Sequence, residues 1–116
     1  MTSVKLVEYV RKDGSSPFRA WFDGLDSQAA AKVAVATLRL ESGNISSVKA
    51  IGKIAEYRID WGPGYRVYLG RDGAELIILL GGGTKRHQDR DIARAAMLFA
   101  EYKARKAEAA KGKSKR

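Results

Sequence analysis

Residues 55–80 constrain the fold more than any other stretch, because they alternate with a period of two and are punctuated by turn residues. Ala55, Tyr57, Ile59 and Trp61 put apolar side chains on one side while Glu56, Arg58 and Asp60 point to the other. Tyr65, Val67 and Leu69 continue the alternation against Arg66 and Tyr68, and Gly62-Pro63-Gly64 between the two runs is a turn. A three-residue loop predicts a hairpin with Trp61 opposite Tyr65, Ile59 opposite Val67 and Tyr57 opposite Leu69. Asp60 then lies across from Arg66 and Arg58 across from Tyr68, whereas a one-residue slip would mix the faces and bury arginine. Arg58, Arg66 and Tyr68 are thus expected on one polar surface, where removing Arg66 would touch no core contact. Arg71-Asp72-Gly73 is the next turn. The unbroken apolar run at residues 76–80 reads as a central strand covered on both faces, ended by Gly81-Gly82-Gly83.

Helices flank this unit. Residues 4–10 read as a first strand, closed by the turn Lys12-Asp13-Gly14-Ser15. Ser16-Pro17 is a helix start, and Phe18, Trp21, Phe22 and Leu25 recur at helical spacing. Asp26 or Ser27 caps a second helix with the stripe Ala30, Val33, Ala34, Thr37 and Leu40, which Gly43-Asn44 ends. Residues 44–52 read as a loop. After residues 84–88 a last helix carries Asp89 and Asp91 in its first turn and turns Ile92, Ala95, Ala96, Phe99 and Tyr102 inward. The order β-α-α-β-β-β-α gives an α+β fold, a small antiparallel-rich sheet on a helical hairpin. Residues 1–106 form one domain, and 107–116, without apolar anchors, form a basic flexible tail.

The chemistry open to such a chain is narrow. Its 116 residues contain no cysteine and one histidine, which removes disulfides, thiol nucleophiles and any His/Cys metal cage, so neither a metal nor a cofactor is expected. No stretch approaches a membrane span, and MTSVKLVEYV has no secretion-signal core, so a cytoplasmic location is expected. The net charge of +9 suits a phosphate-bearing partner. Most of it sits at the end: residues 103–116 hold seven cations against Glu108 alone. Such a run solubilises the chain or binds any polyanion, so specificity has to come from the body.

Gly81-Gly82-Gly83-Thr84-Lys85 lacks the spacing of a phosphate-binding P-loop. His87 has no ligand partners in the sequence, and Asp60, Asp72, Asp89 and Asp91 all have ordinary turn, pairing or helix-start roles. What remains is the face bearing Arg58, Arg66 and Tyr68, beside the basic turn Lys85-Arg86-His87. Guanidinium forks grip phosphate oxygens, lysine adds a point charge and a tyrosine ring stacks on a base. The competing reading is that these arginines only pair with Glu56, Asp60 and Asp89.

The run from Glu56 to Tyr68, EYRIDWGPGYRVY, followed by LIILLGGGTKRHQDRDI over residues 76–92, resembles the phage-derived HigB-like branch of the RelE/ParE toxin superfamily, the addiction-module killer proteins. Pro17-Phe-Arg-Ala-Trp-Phe22, Arg39-Leu-Glu-Ser-Gly-Asn44 and the final helix share in the resemblance, which covers residues 5 to 106. It implies a RelE-like fold and the toxin half of a type II toxin–antitoxin system, acting as a ribosome-dependent, metal-independent endoribonuclease (mRNA interferase). The implied partners are mRNA, the ribosome and an adjacently encoded helix-turn-helix antitoxin that covers the basic face. Arg58 and Arg66 then correspond to oxyanion clamps, Lys85 and Arg86 to the basic pair beyond the last strand, and Tyr65 or Tyr68 to a stacking platform. Arginine, with a pKa above about 12, stays protonated and is a poor general base, which leaves His87 or the RNA-binding Lys53 for that role. ParE-like members inhibit DNA gyrase without catalysis, and a plain RNA-binding module is a further alternative.

Overall fold

The structure, a computed structural model, describes residues 4–114. After strand β1 (Lys5–Glu8), Ser16 caps helix α1 (Pro17–Asp23) by accepting a hydrogen bond from the Arg19 amide, and Pro17 sits in the first turn, where its missing N–H costs nothing. Asp26, the first of the two expected caps, accepts from the Ala29 amide and starts helix α2 (Ser27–Glu41). Then come β2 (Val48–Ile51), β3 (Ile54–Ile59), β4 (Tyr65–Asp72), β5 (Leu76–Thr84), a 3-10 turn (Lys85–His87) and α3 (Gln88–Ser114). The fold is α+β, with a five-stranded mixed sheet in the order β1-β5-β4-β3-β2; β1 runs parallel to β5 and the other neighbours are antiparallel.

Helices cover both faces. On one, Phe18, Val33, Ala36 and Leu40 of the α1–α2 hairpin pack on Tyr57, Val67, Leu69, Ile77 and Leu79. On the other, Ala95, Leu98 and Phe99 of α3 pack on Tyr9, Ile54, Tyr68, Ile78 and Leu80. The apolar run of β5 is therefore buried on both sides, as expected, although β4 rather than β5 occupies the middle of the sheet. Among the described residues no helix is long and apolar enough to cross a membrane.

Several expectations need correction. The hairpin register is displaced by two residues: Ile59 faces Tyr65, Arg58 faces Arg66, Tyr57 faces Val67 and Glu56 faces Tyr68. A shift of two preserves every inside–outside assignment, so alternation cannot detect it. The connection is accordingly longer, and Trp61 lies in it with its ring stacked on Tyr65, centroids 6.0 Å apart. The supposed loop at 44–52 contains β2, a four-residue edge strand too short to show a period, joined to β3 through Gly52 at φ +59°. The buried stripe of α2 is Ala29, Val33, Ala36 and Leu40, because a helix with so many alanines leaves its rotation poorly marked.

The three glycines do not end β5. They pair on along β4 after a bulge at Tyr68/Leu69, with Gly81 opposite Tyr68, Gly82 opposite Val67 and Gly83 opposite Arg66. The final helix continues through Ser114 instead of fraying after 106; residues 107–112 are exposed, and the high helix propensity of Ala107, Ala109 and Ala110 carries the helix on. Lys115 and Arg116 of the expected tail lie outside the described residues.

Candidate functional site

Alternation places Glu56 and Arg58 of β3 on the same face as Arg66 and Tyr68 of β4, as the sequence indicates, but that face is roofed by α3. Glu56 is fully buried and forms the hub of the cluster. Its Oε1 accepts from Arg58 Nε at 2.7 Å and from Arg66 Nη1 at 3.1 Å, while Oε2 accepts from Gln88 Nε2 at 3.1 Å. Two arginines directly opposite one another repel; the shared carboxylate between them makes the pairing tolerable. The reading in which the arginines pair with Glu56 is therefore correct for that partner.

The two arginines have different standing. Arg58 uses only Nε on Glu56 and leaves 49% of its side chain exposed, whereas the Arg66 side chain is 8% exposed. Arg66 is thus a buried strut and not the free surface fork the alternation suggests, because α3 roofs this face: Gln88 bonds the shared Glu56, and the Asp91 carboxylate lies over Gly83, the cross-strand neighbour of Arg66. Tyr68 is 1% exposed and belongs to the α3 core, so its ring is not presented for stacking on a base. Burial, assisted by the Glu56 and Asp91 carboxylates, pushes its phenol up to about 12, so the group is an O–H donor at neutral pH. Neither that hydroxyl nor Arg66 Nε has a hydrogen-bond partner among the described residues.

Tyr65 sits on the opposite face, paired with Ile59 and stacked on Trp61, away from the arginines. Lys85, Arg86 and His87 are exposed on the 3-10 turn that follows β5, and the Lys85 amide donates to Gly64 O at 3.0 Å, which ties this turn to the β3–β4 loop. Arg58, Arg66 and the basic turn therefore meet at one end of the sheet. Lys53 does not join them: it is exposed in the β2–β3 turn, five residues from Arg58 and roughly 16 Å away along the strand. Exposed Arg90 and Arg94, one helical turn apart on α3, extend the basic surface.

Sequence reasoning did not single out Glu56, Gln88, Asp91 or Trp21 as members of a site. Glu56 did carry a signal, since an acid on the same strand face as Arg58 and Arg66 is their nearest counter-charge. Nothing local marks Gln88, which reaches Glu56 across 32 positions of sequence.

No family model matches the chain. An uncharacterized protein of Haemophilus influenzae is 43% identical over 86 residues, a match spanning 72% of this chain and 87% of the relative. Identity at that level over most of both chains means that they share one fold and one ancestry. The protein belongs to the same family as this uncharacterized Haemophilus influenzae protein.

Proposed function

We propose that the protein is the toxin of a type II toxin–antitoxin pair, a RelE/HigB-like endoribonuclease that cleaves mRNA on the ribosome and so stops translation in the cytoplasm. The observation that carries this reading is the convergence at one end of the sheet of Arg58, the Glu56-anchored Arg66 and the exposed Lys85-Arg86-His87 turn. In such a reaction the ribose 2′-OH attacks the adjacent phosphorus and loses its proton to a base. A phosphorane with extra negative charge forms, and the 5′-oxygen leaves with a proton. Arg58 and Lys85 supply exposed donors for the equatorial oxygens, and Arg86 holds the neighbouring phosphate. Glu56 fixes the azimuth of Arg58 through its Nε, so the guanidinium is pre-oriented before RNA arrives. His87, beside these cations, takes the base role in preference to the remote Lys53.

The test is primer extension on translated mRNA with wild type, Arg58→Ala and His87→Gln, run alongside a gyrase supercoiling assay. Arg58→Ala should lower cleavage by about 10²- to 10³-fold, the scale of losing one oxyanion donor. Co-expression of a neighbouring helix-turn-helix protein should restore growth. Intact transcripts with wild-type protein, together with lost supercoiling, would overturn the nuclease reading in favour of gyrase inhibition.

A further inference from the structure

The three glycines of β5 are not equivalent. A side chain at Gly82 would overlap the Trp21 ring and one at Gly83 would overlap the Asp91 carboxylate, so close packing accounts for both. Gly81 has no such account. Its φ is not positive, it sits inside a strand where glycine is unfavourable, and a Cβ built on it meets nothing within 4 Å. What the missing side chain preserves is space. That space is a cleft of 340 Å³, lined by Trp21 of α1, Tyr68 of β4, Gly81 and Gly82 of β5, and Asp91 and Arg94 of α3. It opens where β1 has ended: the last β1–β5 pair is Glu8 with Leu79, so beyond that point, among the described residues, no strand covers the edge of β5 away from β4.

The polar groups around the cleft want partners. Among the described residues the Tyr68 hydroxyl in the lining is buried without one, and so, outside the lining, is Arg66 Nε on the residue that faces Gly83. A buried donor left unpaired keeps its full desolvation penalty, so each such group calls for a water, an ion or a ligand to bond it. The Asp91 side chain is 14% exposed, and the neighbouring Arg90 Nε donates to its Oδ1 at a long 3.4 Å. The wall is an indole ring, half-buried on Gly82. An aromatic wall, an acceptor-only carboxylate and a phenolic donor in a cleft of this size match a planar heterocycle that carries both N–H groups and a carbonyl.

We infer that the cleft between α1 and α3, kept open by Gly81, is a nucleobase-binding subsite that favours guanine. The guanine N1–H and N2–H₂ donors lie side by side and suit the two Asp91 oxygens, while O6 accepts from the Tyr68 hydroxyl. Trp21 supplies the apolar wall, and Arg94 at the rim attracts the attached phosphate. Because Gly83 and Arg66 are partners across β4 and β5, a base in the cleft lies next to the arginine cluster. The inference rests on the RNA reading for its biological sense, but its binding test does not depend on cleavage.

The experiment is titration of the purified full-length protein with guanosine, adenosine, cytidine, uridine and, separately, inorganic phosphate. The Trp21 indole N–H resonance is followed, with Trp61→Phe used to assign it. Guanosine should shift that resonance saturably and bind at least tenfold more tightly than the other nucleosides. Gly81→Val places a strand-favouring side chain in open space, so it should keep the thermal midpoint while weakening guanosine at least tenfold. Asp91→Asn should bring guanosine and adenosine to within about threefold of each other. No saturable shift with any nucleoside, equal binding of all four, displacement by phosphate alone, or unaltered guanosine binding by Gly81→Val would each overturn the inference. Arg58→Ala should lower mRNA cleavage by about 10²- to 10³-fold and leave guanosine binding intact. If wild type binds guanosine and leaves mRNA whole, the nuclease reading fails while the subsite stands.

Discussion

Replacing Arg66 with alanine should unfold the protein more readily than any other single change in the basic cluster. The Arg66 side chain is 8% exposed and its Nη1 lies 3.1 Å from a carboxylate that is fully buried. Breaking a buried pair typically costs about 3–5 kcal/mol because the surviving charge stays desolvated. Glu56 here keeps Arg58 at 2.7 Å and Gln88 at 3.1 Å, so the expected loss lies near the lower end, about 3 kcal/mol. At about 4 °C per kcal/mol for a domain of this length, the thermal midpoint should drop by roughly 10 °C. Arg58→Ala, with 49% of the side chain exposed and two donors left on Glu56, should cost only about 1 kcal/mol. Urea unfolding followed by tryptophan fluorescence and circular dichroism measures both. The double variant Glu56→Gln/Arg66→Ala should be less destabilised than the two single changes added together, since each removes the same interaction. Equal losses for Arg58→Ala and Arg66→Ala, or strict additivity in the cycle, would refute Glu56 as the hub. One practical result follows: activity lost in Arg66→Ala reports folding as well as chemistry, whereas Arg58→Ala reports chemistry.

Gly82→Ala would push a methyl group into the Trp21 ring and should destabilise by about 1–3 kcal/mol, with a red-shifted Trp emission as α1 loosens. Deleting residues 107–116, of which 107–112 are exposed helix, should move stability by no more than about 0.5 kcal/mol. The same deletion should weaken binding to a generic RNA, most visibly at low salt; a large loss of stability would show that this segment docks on the body. The carboxyls of Glu8, Glu101 and Asp72 are held below their ordinary values, chiefly by hydrogen bonds from Arg19, Arg11 and Lys106 respectively. The unfolded chain therefore binds protons first, near 4.5 for the glutamates and 3.8 for Asp72. Their contribution is complete above those values and lost as pH falls through the lower folded-state values. Glu101→Gln should accordingly be less stable than wild type at pH 7, with the gap closing as pH falls below about 4.5; a gap independent of pH would refute the assignment.

How much of this protein is written locally follows from the range of the interactions. Ser16 and Asp26 cap their helices through bonds spanning three residues, so those starts are legible from a few letters. The alternation of residues 55–69 dictates which side chains share a face, and the apolar run of β5 dictates burial on both sides, because each is a property of one strand. Register is another matter: sliding the hairpin by two leaves every face unchanged, and only the fit of the 60–64 connection and the bridge through Glu56 selects Arg58 opposite Arg66. The faces were also legible without what covers them. A polar stripe of Glu56, Arg58, Arg66 and Tyr68 looks solvent-facing in sequence, yet α3, arriving from residue 88 onward, buries three of the four and leaves Arg58 half exposed. Gly81-Gly82-Gly83 reads as one breaker, while the fold gives its members separate reasons: a ring over one, a carboxylate over another and open space over the third. These decisions belong to tertiary structure because each depends on an atom brought in from another element, and one-dimensional periodicity carries no record of which element will arrive.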